Sequence, residues 1–285
     1  LLKRVMFAIP ALVLLFCVVF FGGLFARIVV SLVGLLCMYE MMHVLSADGA
    51  RPVKIVAYLF AALSWPAYEF VGDWWRFGGG FWALCAMLVL AVMVIFLVLV
   101  IDKRTADDGI RTVYALIYPG LFFAFLLAII CIKDPGAVNP MQSMAARFMF
   151  LITFVGAALT DTFAYFGGMI FGKHKLAPEI SPKKTVEGAV IGGVFGALGV
   201  LLMGVLFQDF FGLHVRAWLY GILGAALGIF SQVGDLTASI IKRQFGVKDY
   251  GNIMGAHGGA MDRLDSAIFI SPIVCAFYYV FLQLH

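Results

Sequence analysis

The chain has 285 residues, 64% of them hydrophobic and only 13% charged, with a mean hydropathy of +1.04. A soluble domain carries about a quarter charged residues and about half apolar ones, so this composition excludes a soluble enzyme and makes the bilayer the solvent. The net charge of +4 is too small to point to nucleic acid as a partner.

Lys3 and Arg4 open a first apolar run that reaches about Gly23. It is longer than the core of a secretory signal, and no small-residue cleavage site follows, so it reads as a first span. A spanning helix needs about 20 mainly apolar residues. That rule predicts nine: 5–23, 26–46, 53–71, 81–101, 112–132, 148–171, 185–207, 216–236 and 266–284. The expected fold is therefore an all-α integral membrane protein, with spans one to five in residues 1–140 and a catalytic core of spans six to nine in 141–285. Glu40 and Glu69 make the second and third spans less regular than the fourth and fifth. The seventh and eighth are rich in Gly and Ala, which lets membrane helices approach closely.

With the N-terminus inside, 15 of the 20 Lys and Arg residues fall in inside segments. Arg27, Arg76, Lys133, Arg147 and Arg216 are left outside. This bias follows the positive-inside rule and puts the C-terminus outside. The five cysteines show no C-x-x-C spacing and read as small buried hydrophobes. Two inside loops, 172–184 and 242–263, are basic and long, and long loops are where function concentrates.

Carboxylates at membrane depth are costly and mark function by default. If the helix continues past the membrane edge, Asp235, Ser239, Lys242 and Arg243 form one polar stripe. The alternative for Asp235 is a plain ion pair with a snorkelling base. Asp262 and Asp265 share a helix face where the last span begins, after His257-Gly258-Gly259, whose glycines allow an unusual turn and close approach to a ligand. Hard oxygen donors of this kind suit Mg²⁺, which usually takes one or two carboxylates plus substrate phosphates. Because Asp235 and Asp262 flank one loop, a Mg²⁺ site on the two is the sharp reading. In the other loop, Ser181-Pro182 reads as a helix N-cap with proline at the first helical position. Lys183 and Lys184 beside it give a phosphate-binding helix start, or else ordinary inside flanking. Asp161 is a second metal ligand or a structural acceptor, and Glu40 reads as a structural hydrogen-bonding or ion-pair residue. His43, His214 and His285 receive no role.

Ser239-x-Ile-Lys-Arg243, Lys248-Asp249-x-Gly251 and His257-Gly-Gly-x-x-Asp262-Arg-Leu-Asp265 resemble the signature of the phosphatidate cytidylyltransferase (CDP-diacylglycerol synthase) family. Asp161-x-x-Ala-Tyr-x-x-Gly168 and Ser181-Pro-x-Lys184-Thr185 are similar to further blocks of it. The resemblance covers about residues 158–270, the N-terminal half matching in hydropathy alone. Met254 and Ala260 depart from the pattern, and both departures concern packing.

The resemblance implies Mg²⁺-dependent transfer of CMP from CTP to phosphatidic acid at the cytoplasmic face of the bilayer, with metal on Asp235 and Asp262 and a homodimer. Asp265 is a further candidate ligand, and a second cation is left open. Lys184, Arg243 and His257 join the two aspartates as catalytic candidates. Ser181, Lys183, Ser239, Lys242, Lys248, Asp249, Arg263 and Asp161 are the substrate-binding candidates. Direct in-line displacement is expected, with attack by His257 as the covalent rival. A transporter would also hold intramembrane carboxylates but does not need the bases gathered around them. A CDP-alcohol phosphotransferase needs a D-G-x-x-A-R element, which Asp108-Gly-Ile-Arg-Thr does not supply. A lipid kinase would differ in its nucleotide donor.

Overall fold

The computed structural model describes residues 2–72, 79–133, 143–213, 215–253 and 258–281. His257, His214, His285 and Arg76 lie outside the described residues. The helices are α1 (Leu2–Phe21), α2 (Gly23–Val44), α3 (Lys54–Gly72), α4 (Gly79–Ile101), α5 (Ala106–Ala115), α6 (Phe122–Ile130), α7 (Met144–Phe171), α8 (Val186–Phe207), α9 (Ala217–Gln244) and α10 (Met261–Phe281). A π-helical turn, Leu116–Leu121, joins α5 to α6. Among the described residues seven helical segments are long and apolar enough to cross a membrane, counting α5 to α6 as one. The first and third expected spans form α1 and α3, which are not among those seven.

The chain divides into two compact units, residues 1–131 with 245–263, and 132–244 with 264–285. The first unit is built on α2 to α6, with Met38, Met41, Phe60, Leu84, Ile95 and Leu116 fully buried. Its fifth expected span is not one regular helix. Pro119 has no N–H to give and pushes the residue before it out of the helical region, and Tyr118 is extended at φ −127°, ψ 111°. That segment also starts earlier than hydropathy predicts, because Thr105 and Asp108 form a capping box: the Asp108 N–H donates to Thr105 Oγ1, and the Thr105 N–H to Asp108 Oδ2. Asp108 Oδ1 accepts the Arg51 N–H as well, at 2.6 Å.

Arg27, counted above as an outside charge, is a buried residue of α2 paired with Glu69 of α3. Glu69 Oε2 also accepts the indole N–H of Trp65 at 2.5 Å. A buried guanidinium needs such a partner to offset its lost hydration.

In the second unit, α8 packs on both α7 and α9 through glycines, as the small-residue composition predicts. A Cβ at Gly192 would stand 2.6 Å from the Thr160 carbonyl oxygen, and one at Gly224 2.6 Å from that of Ala197. Side chains there would force the helices apart. Ser143 caps α7, its hydroxyl accepting the Ala146 N–H at 3.0 Å.

The fold is not entirely helical. Residues Lys175–Ala177 (β1) and Ser181–Thr185 (β2) pair antiparallel, with Lys175 opposite Thr185 and Ala177 opposite Ser181. Ser181 is therefore a strand residue, not an N-cap. Proline is tolerated in a strand with an open edge, and the cap of α8 falls to Thr185, whose hydroxyl accepts the Gly188 N–H at 3.2 Å.

Candidate active site

The second unit gathers one set of predicted residues. Helix α9 runs without a break from Ala217 to Gln244, so Asp235, Ser239, Lys242 and Arg243 do lie along one helix, with both bases in its last turn. Cations there also complement the helix dipole. Lys184 Nζ lies 2.5 Å from Asp235 Oδ2, in an ion pair whose side chains are 25% and 31% exposed. Successive strand residues point to opposite faces; Lys184 turns to Asp235, whereas Lys183 is exposed. Asp161 on α7 and Asp265 on α10 lie within electrostatic range of Asp235, and Lys242 within range of Asp265. Asp161 is accessible, and Asp265 and Ser239 are buried.

The hairpin that carries Lys184 is tied to α8 by Glu187. This carboxylate accepts the backbone N–H groups of Lys173 (3.1 Å) and His174 (3.2 Å) and pairs with His174 Nδ1 at 2.6 Å. Arg243 Nε donates to the Ile180 carbonyl in the hairpin turn at 3.4 Å. The sequence alone does not single out Glu187. An acidic residue in a first helical turn is a common feature, and nothing in the sequence links it to residues 173 and 174.

The first unit holds the other set. Asp262, in the first turn of α10, accepts the Tyr250 N–H at 2.8 Å and the Gly259 N–H at 3.0 Å, both on Oδ2. Gly258 has φ +81°, the left-handed conformation expected of the Gly-Gly pair. Gly259 makes its close approach to protein, since a Cβ there would stand 2.4 Å from Glu40 Oε2. Glu40 in turn accepts the N–H groups of Ala260 and Met261. Lys248, Asp249 and Arg263 are exposed on this segment. A cavity of about 400 Å³ opens beside it, with Tyr39, Glu40, His43, Asp249 and Asn252 in its wall. At the start of the segment the Arg111 guanidinium lies 5.0 Å from the Phe245 ring centre. Arg111 is held by both oxygens of Asp48, at 2.6 and 2.7 Å, and its hydrogen bond keeps the Asp48 carboxyl below the usual carboxylate range.

A model of the cytidylyltransferase family matches residues 2–281, nearly the whole chain. The chain belongs to the cytidylyltransferase family. The match therefore includes the N-terminal half, which the motifs alone did not reach. Among curated relatives, a phosphatidate cytidylyltransferase of Staphylococcus saprophyticus is 48% identical over 124 residues, 44% of this chain and 46% of that protein. Those of Staphylococcus epidermidis and Staphylococcus haemolyticus are 40% and 42% identical over 159 and 158 residues, 53% of this chain and 59% of theirs. The matched segments thus span about half the length of these relatives.

Among the described residues no three His, Cys, Asp or Glu side chains stand together as a metal cage. The donors that are present are carboxylate oxygens, with bases nearby. That set fits a hard cation bound by one or two carboxylates and completed by substrate phosphates, and it does not fit a thiolate or imidazole site.

Proposed function

We propose that this chain transfers CMP from CTP to phosphatidic acid, giving CDP-diacylglycerol and pyrophosphate. The observation that carries the reading is the Lys184–Asp235 pair, set among Asp161, Asp265 and Lys242. Two polyanionic substrates must approach one another, and preorganised cationic groups lower that repulsion most effectively where charge develops. Lys184, Lys242 and Arg243 are assigned to the phosphates. Ser181, Lys183, Ser239, Lys248, Asp249, Arg263 and Asp161 are assigned to substrate binding. On this reading Asp235, Asp262 and Asp265 are candidate Mg²⁺ ligands, and each is tested on its own. Bound there, Mg²⁺ would neutralise phosphate charge and favour in-line displacement.

A phosphomonoester has a second pKa near 6, so the lipid phosphate is largely dianionic at neutral pH and needs no strong general base. Its oxygen forms the new bond to the α-phosphorus of CTP as the bond to the bridging oxygen breaks and pyrophosphate leaves. His257 is assigned to a phosphate as a donor. A cytosolic nucleotide and a bilayer lipid meet at the cytoplasmic interface, where the charge bias puts both basic loops, and a homodimer is part of the reading. The experiment is pyrophosphate release by the purified protein in detergent, with CTP, phosphatidate and Mg²⁺ each omitted in turn. Release should need all three; release without phosphatidate would reduce the protein to a nucleotide hydrolase.

A further inference from the structure

Glu40 lies on α2, 221 residues before Met261 in the chain, and its side chain is 2% exposed. Its Oε1 accepts the Ala260 N–H at 3.0 Å and its Oε2 the Met261 N–H at 2.8 Å. The first turn of a helix has N–H groups without intrahelical partners and attracts negative charge, so one carboxylate grips the start of α10 from outside it. The next residue is Asp262, whose Oδ2 takes the N–H of Gly259. Three consecutive amides are thus divided between two carboxylates: Gly259 to Asp262, Ala260 and Met261 to Glu40.

Glycine makes room for this. A Cβ at Gly251 would stand 2.5 Å from Glu40 Oε1, comparable to the clearance at Gly259. A helix start needs only a hydroxyl or amide as a cap, whereas a buried carboxylate is costly to keep. What the carboxylate adds is a bidentate hold on two adjacent amides, which fixes the backbone that aims the following side chain.

We propose that Glu40 is a positioning residue for Asp262, setting the direction in which that carboxylate leaves α10. The inference rests on reading Asp262 as a Mg²⁺ ligand of the transferase. Glu40→Gln keeps the shape but turns an amide NH₂ toward one of the two N–H donors, so one bond is lost. Half-saturation of phosphatidate-dependent pyrophosphate release by Mg²⁺ should then need at least about ten-fold more metal, the factor that corresponds to ~1.4 kcal/mol. Amide hydrogen exchange in residues 258–263 should quicken in the same variant without metal or substrate. Gly259→Ala, whose methyl would crowd the Glu40 carboxylate, should reproduce both changes. As a structural control, Glu69→Gln breaks the Arg27 pair and should lower thermal stability while leaving the Mg²⁺ requirement unchanged. Active wild-type protein whose Glu40→Gln and Gly259→Ala variants keep its Mg²⁺ response and its exchange pattern would overturn the positioning role alone. Wild-type protein with no phosphatidate-dependent release would overturn the transferase reading, and the role with it.

Discussion

Lys184 of the hairpin and Asp235 of α9 form a partly exposed ion pair at 2.5 Å. Each neutralises the other where partial burial makes either charge alone costly. Lys184→Ala should therefore act through Asp235. We expect a fall in turnover that Lys184→Arg only partly restores, because a planar fork does not replace a point charge at one oxygen. The check is the rate of pyrophosphate release for the two variants beside thermal midpoints in detergent. Equal, wild-type rates in both would remove Lys184 from the site.

Asp235→Asn and Asp262→Asn should each lower turnover by on the order of a hundred-fold or more, the effect of losing ~3 kcal/mol of metal-dependent stabilisation. Expression and extraction should stay normal. The comparison is steady-state rate at saturating Mg²⁺, and a near-normal rate in either variant excludes that residue as a ligand.

Packing gives an independent test of the second unit. Gly192→Leu should destabilise it by about 1–3 kcal/mol or more, since the helices meet there backbone to backbone. Thr185→Ala should cost about 1 kcal/mol through loss of the α8 cap. Thermal midpoints of the purified variants measure both, and an unaltered Gly192→Leu protein contradicts the α7–α8 contact.

Much of this architecture is legible in hydropathy, because a spanning helix must be long and apolar whatever it packs against. The stripe on α9 and the turn at Gly258 are also legible, since both depend on local spacing and backbone freedom. The hairpin is not: Ser181-Pro182 carries the local chemistry of a helix start, and only pairing with Lys175–Ala177 makes it a strand. The Thr105–Asp108 capping box was readable, yet it lies outside the apolar run that set the expected boundary. The Arg27–Glu69 and Glu40–Met261 links join positions 42 and 221 residues apart, and no local pattern announces such partners.

The Arg111–Asp48 link predicts a small acid sensitivity near Phe245. A carboxylate whose folded pKa is lowered adds stability above its unfolded value and loses it as pH falls through the folded one. The link should therefore survive through the ordinary aspartate range and fail only below it. Asp48→Asn should abolish that part of the acid dependence, read as the difference in thermal midpoint between neutral and acid pH. An unchanged difference contradicts the link.

The charge bias predicts a topology that labelling can test. In a background without the native cysteines, single cysteines at Lys175 and Asp249 should react with an impermeant thiol reagent from the cytoplasmic side alone. Labelling of the two positions from opposite faces would break the reading that both basic loops serve one reaction.

If the chain is the proposed transferase, a nucleotidyl group moves from CTP to lipid phosphate. The direct measurement offers phosphatidate with CTP radiolabelled at either the α- or the γ-phosphorus and follows the label into extracted lipid. α-Label should appear in the lipid and γ-label in released pyrophosphate, with Asp235→Asn lowering both by on the order of a hundred-fold or more. Label passing from the γ-position into lipid would instead make the protein a lipid kinase and contradict nucleotidyl transfer.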